Sequence, residues 1–133
     1  MIDIENQIYT PIAAALREKF PGISVSGEYV KAPPKFPYVS IVEQDNYTTV
    51  SRLDSSDRER YATILYEVNV YSDKAGAKKS TCREILRCID EMLYRKNFTR
   101  ISMNPVPNME NATIYRLNAR YRAETDGDNI YRR

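Results

Sequence analysis

YATILYEVNVY, residues 61–71, is the stretch that decides the fold. Ala62, Ile64, Tyr66, Val68 and Val70 occupy every second position, so an extended segment here has one wholly apolar face. The alternate positions, Tyr61, Thr63, Leu65, Glu67, Asn69 and Tyr71, are mixed and predict partial exposure. At about 3.3 Å per residue the stretch spans roughly 36 Å, long for a small domain. It is expected to be the central strand of a sheet.

Downstream, residues 78–96 carry Cys82, Ile85, Leu86, Ile89, Met92 and Leu93 at three- and four-residue spacing, with Arg83, Glu84, Arg87, Glu91 and Arg95 opposite. This predicts an amphipathic helix of about 28 Å, enough to lie across the sheet. Upstream, Ile4, Ile8, Ile12, Ala15 and Leu16 mark a helix over 3–19, with Asp3 as N-cap and Glu5 in its first turn. Pro11 either kinks that helix or opens a second one after Thr10; a single kinked helix is the favoured reading. Pro21-Gly22 ends it.

Four further strands are expected. Residues 23–30 place Ile23, Val25 and Tyr29 on one side, and Gly27 argues for an edge. Residues 38–46 offer Val39 and Ile41 to the core, and Pro33, Pro34 and Pro37 make a rigid crossing between these two strands. Over 98–106, Phe98 or Ile101 and Met103 face inward. Over 112–124, Tyr115, Leu117, Ala119, Tyr121 and Ala123 share one face, and Ile114, Arg116, Asn118, Arg120 and Arg122 the other. The whole of 1–133 then reads as one α+β domain: a mostly antiparallel sheet of about five strands with two helices packed on one face, in the order α-β-β-β-α-β-β. The polar stretch YTTVSRLDSSDRER, 47–60, is a long flexible loop, and 125–133 is a short tail that turns at 126–129 and whose end holds on to a neighbour.

Composition narrows the chemistry. The 133 residues are 42% hydrophobic and 29% charged, with 20 basic against 18 acidic side chains, so no basic excess points to nucleic acid. Eleven tyrosines stand beside no tryptophan, a bias suited to half-buried sheet faces and interfaces. The absence of histidine removes catalytic triads, most zinc sites and the commonest general base. Cys82 and Cys88 are six positions apart on one predicted helix, about 240° around its axis, and cannot pair with each other. With four glycines there is no phosphate-cradling loop, and Asp54, Asp57 and Glu59 are interleaved with Arg52, Arg58 and Arg60. The expectation is a protein without enzymatic activity, cofactor or metal. No run approaches the ~20 apolar residues of a spanning helix, and MIDIENQIYT lacks the basic start and apolar core of a signal.

Four segments, IENQIYTPIAAALREKFPGISVSGEYV (4–30), KFPYVSIVEQDN (35–46), YATILYEVNVYSDK (61–74) and NPVPNMENATIYRLNARYRAETDGDNIYRR (104–133), together resemble the tail terminator and tail-to-head joining proteins of siphophages and prophages of Gram-positive bacteria. That resemblance implies a hexameric ring that caps the tail tube, with the major tail tube protein and the head connector as partners. It implies assembly in the bacterial cytoplasm and residence in the virion, without membrane or specific nucleic acid. In such a ring Arg52, Asp54, Asp57 and Arg58 of the long loop would reach a neighbour or the tube, Arg116, Arg120 and Arg122 would line a contact or the lumen, and Tyr61, Leu65 and Tyr71 would suit a neighbouring subunit. Two other classes stay open: a connector-side head-completion adaptor, and a single-stranded nucleic-acid module with Tyr115 and Tyr121 stacking bases.

Overall fold

Alternate residues of one strand organise the molecule. The computed structural model describes residues 1–30, 33–48, 61–107 and 113–131. In β3 (Ala62–Ser72), Ala62, Ile64, Tyr66, Val68 and Val70 are each fully buried. The chain runs α1 (Glu5–Lys19), β1 (Ser24–Ser26), β2 (Tyr38–Thr48), β3, α2 (Lys78–Arg95), β4 (Thr99–Val106), β5 (Tyr115–Thr125) and β6 (Ile130–Tyr131). The sheet order is β1-β2-β3-β5-β4, with β6 pairing β5, so β3 is central as expected. Every pairing is antiparallel except β1 with β2. That one parallel step follows the proline-rich crossing, whose Phe36–Pro37 peptide is cis.

Both helices lie on the face presented by the even positions of β3. Ile8, Ile12 and Leu16 from α1, Cys82, Ile85, Leu86, Ile89 and Leu93 from α2, and Leu117, Ala119, Tyr121 and Ala123 from β5 form one core with them. A stripe at three- and four-residue spacing meets an alternating strand face, and each hides the other's apolar surface from water. Each large aliphatic side chain so buried is worth about 1.5–3 kcal/mol. The α+β arrangement read from the sequence is the one observed, with β6 as an additional short strand.

Several local expectations are corrected. Helix α1 runs unbroken through Pro11, on its exposed side, as the favoured single-helix reading has it, but begins at Glu5 rather than residue 3. Ile4, not Asp3, is its N-cap residue; it has no side-chain cap, and Asp3 Oδ1 instead accepts from the Glu5 amide at 3.0 Å. Burial of Ile2 and Ile4 sets that start more strongly than a cap. Ala13 is buried where Ala15 was placed in the stripe. The first strand shrinks to Ser24–Ser26, because Ser26 Oγ accepts from the Glu28 amide at 3.1 Å and turns the chain, leaving Tyr29 63% exposed. In β4 the register shifts between Arg100 and Ser102, a bulge that turns Ile101 outward, while Phe98 and Met103 stay with the core.

The two edges of the sheet are each obstructed. At β1 the Val25 carbonyl accepts from the Tyr9 hydroxyl at 3.2 Å and lies 3.5 Å from the Arg17 guanidinium. At β4 the bulge and Pro105, which has no N–H, interrupt the ladder. The C-terminal stretch folds back on its own chain as far as Tyr131. Asp126 Oδ1 accepts from the Asp128 and Asn129 amides, Gly127 takes φ +98°, and Ile130 and Tyr131 pair with Thr125 and Glu124. No helix among the described residues is long and apolar enough to cross a membrane.

Candidate functional site

Because the even positions of β3 face the helices, its odd positions must line the opposite face. The register sets Leu65 beside Arg122, Glu67 beside Arg120, Asn69 beside Asn118 and Tyr71 beside Arg116. Tyr61 leads into the same phase just before β3. Sequence reasoning thus named six residues that one sheet face gathers: Tyr61, Leu65, Tyr71, Arg116, Arg120 and Arg122. Arg52, Asp54, Asp57 and Arg58 lie outside the described residues.

The face is not uniform. At one end Asn69, 1% exposed, is the hub of a polar network. Its Oδ1 accepts from Arg116 Nε and from Asn118 Nδ2, both at 2.9 Å, and its Nδ2 donates to Glu67 Oε1 at 3.1 Å. Arg116 lies 5.6 Å from the centroid of the Tyr71 ring, which in turn meets Tyr38 edge-on at 6.1 Å. Tyr71 is only 3% exposed, and burial raises its phenol pKa. It therefore braces the face from within and offers a neighbour little surface, contrary to the expectation for it. Tyr61 is engaged within the chain as well, its ring 6.1 Å from that of Tyr131.

Toward the middle of β3 the surface opens, before Thr63 and Glu124 close it again. Arg120 Nε stands 3.5 Å from Glu67 Oε2, with half of its side chain in solvent. Arg122 is exposed and makes no ion pair among the described residues, and Leu65 beside it is half-buried. An exposed arginine without an ion pair, beside a half-buried apolar side chain, is a residue type that protein interfaces favour.

No protein-family model and no curated protein matches this chain.

On the helix side two buried tyrosines pair with carboxylates from the helices. The Tyr66 hydroxyl donates to Glu5 Oε2, and the Tyr121 hydroxyl donates to Asp90 Oδ1 at 2.8 Å. Burial, and then those carboxylates, push both phenols above their ordinary pKa. Burial pushes the Cys82 thiol up to about 12, so it stays protonated, 3.5 Å from the Val70 carbonyl. A thiol so placed is a poor nucleophile. Tyr121 is buried in this core and Tyr115, half-buried, packs against it. Among the described residues no three Cys, Asp or Glu side chains are placed to hold a metal ion.

Glu43 gives this side a pH signature. Its carboxyl pKa is raised by burial first and by the nearby Glu5 and Asp3 charges, against the Asn46 amide 3.4 Å away. The folded state therefore binds the proton more tightly than the unfolded chain. The stability this contributes is present below the ordinary carboxylate pKa and is lost as pH rises through the folded value. Glu43→Gln, neutral at every pH, is expected to melt higher than the parent at pH 7 and together with it near pH 4. A lower melting temperature at pH 7 would show that the charge is instead stabilising.

Proposed function

We propose that this chain is the protomer of a ring, hexameric by the resemblance of its sequence, that caps a siphophage tail tube and joins it to the head connector. The observation that supports this reading is the sheet face turned away from both helices. Leu65, Arg120 and Arg122 form its open middle, beside the hydrogen-bonded Asn69 network. A patch that meets a different patch on the next subunit generates a ring when the rotation closes. Of the stretch expected as a loop over 47–60, Tyr47 and Thr48 belong to β2; the remainder is assigned to the neighbouring subunit or the tube, and the protein acts as a structural part without catalysis or cofactor. It assembles in the host cytoplasm and stays in the virion.

Light scattering on the purified protein, followed by electron microscopy, tests this directly. Rings of six are expected, alone or on added tail tubes, with stronger binding to purified tubes than to an unrelated protein. Leu65→Glu and Arg122→Glu should each leave the circular dichroism spectrum intact and reduce the rings to monomers. Deleting residues 50–58 should disturb oligomer mass or tail length. Rings that persist in both point variants would rule out this face as the contact. Binding to purified connector in place of the tube would move the protein to the adaptor side of the joint.

A further inference from the structure

On the helix side, away from the proposed ring contact, a trough runs between α2 and β4. Its first well, about 230 Å³, is lined by Arg83, Leu86, Arg87, Asp90, Arg100 and Met103. A second well of about 270 Å³ adjoins it and is lined by Tyr94, Phe98, Thr99 and Tyr121, with Asp90 and Arg100 shared by both. The Arg100–Asp90 pair, at 3.3 Å, is the saddle between them. Arg83 and Arg87, four positions apart on the same side of α2, are exposed and make no ion pair among the described residues. Tyr94 is 59% exposed at the rim of the second well.

From this geometry we infer that the trough is a docking groove for an acidic polypeptide segment carrying two apolar side chains, one for each well. Three guanidinium groups border it and a single carboxylate faces them, so its charge complements carboxylates, which arginine holds through paired N–H donors. Half-buried Met103 and exposed Tyr94 supply the open apolar walls, over a floor of buried Leu86 and Phe98, and suit aliphatic or aromatic anchors, methionine adapting to either. A nucleic acid fits less well, because its phosphates would meet Asp90, a third of whose side chain is exposed at the saddle. Strand addition along β4 is obstructed by its bulge and by Pro105, so recognition rests on side chains.

The test pans a random peptide library on the intact protein, with prior depletion on the Arg83→Glu/Arg87→Glu double variant. Winning peptides, synthesised with a fluorophore, are titrated by anisotropy. Peptides rich in Asp and Glu with two spaced apolar residues are expected. The double variant should weaken them about tenfold or more, Tyr94→Ser should weaken them too, and Arg122→Glu, on the opposite face, should leave them unchanged. Both helix arginines are exposed, so circular dichroism of the double variant should match the parent. Failure to enrich any arginine-dependent peptide would overturn the inference. So would a poly-dT strand that binds as tightly with the same dependence on Arg83 and Arg87.

Discussion

Replacing Tyr66 with alanine is expected to lower the melting temperature by more than about 10 °C. Tyr66 is fully buried at the middle of the central strand, its ring meets Phe98 edge-on at 5.8 Å, and its hydroxyl holds Glu5 at the start of α1. Truncation therefore opens a cavity under both helices and frees a carboxylate at the same time. Cavity formation at an aromatic core position costs about 3–5 kcal/mol, a large share of the roughly 5–15 kcal/mol that holds such a domain together. Tyr66→Phe separates the two effects. It keeps the ring and loses only the hydrogen bond, so it should cost about 1–2 kcal/mol by urea unfolding. If alanine were no worse than phenylalanine, the ring would not be packed as described.

The second large effect is expected at Asn69. Asn69→Ala removes the acceptor shared by Arg116 and Asn118 and the donor to Glu67, inside a face where Asn69 itself sees almost no solvent. Leaving such groups without partners costs about 1–3 kcal/mol each, and part of that is relieved as Arg116 swings to water. A net loss near 2–3 kcal/mol is expected. Arg120→Ala on the same face should cost under about 0.5 kcal/mol, since its pairing with Glu67 is exposed. A double-mutant cycle between Asn69→Ala and Arg116→Ala should show coupling of about 1 kcal/mol. Independent, additive effects would mean that the hub does not position the arginine.

What the chain disclosed in advance follows from periodicity. The alternation in β3 and β5 and the stripe of α2 are long and regular, so their buried faces could be read residue by residue. The same alternation grouped Arg116, Arg120 and Arg122 on one face of their strand and Leu65 on the odd face of β3, and the register joins the two. The misses come from interactions that have no local trace. Ile101 points outward because of a bulge in pairing with a strand some twenty positions on, and Tyr29 because a serine hydroxyl turns the chain before it. Tyr71 belonged to the face as expected, but the arginine that covers it comes from β5, so its burial could not be read from β3 alone. The Tyr66–Glu5 and Tyr121–Asp90 pairs join residues 61 and 31 positions apart, and only the packing of helices on the sheet brings them together. The trough between α2 and β4 was missed for the same reason. Its one hint was Arg83 and Arg87 four apart on a face that already looked ordinary.

The obstructed edges carry a consequence for growth. Sheet proteins polymerise most easily when a bare border offers its backbone to the next copy, and such fibres lengthen without limit. Here one border has its carbonyl occupied by Tyr9 and the other is broken by a bulge and a proline. In the proposed ring, copies of this chain would therefore meet through side-chain surfaces of fixed shape and charge. Association of that kind weakens with ionic strength, reverses on dilution and stops once its geometry is complete.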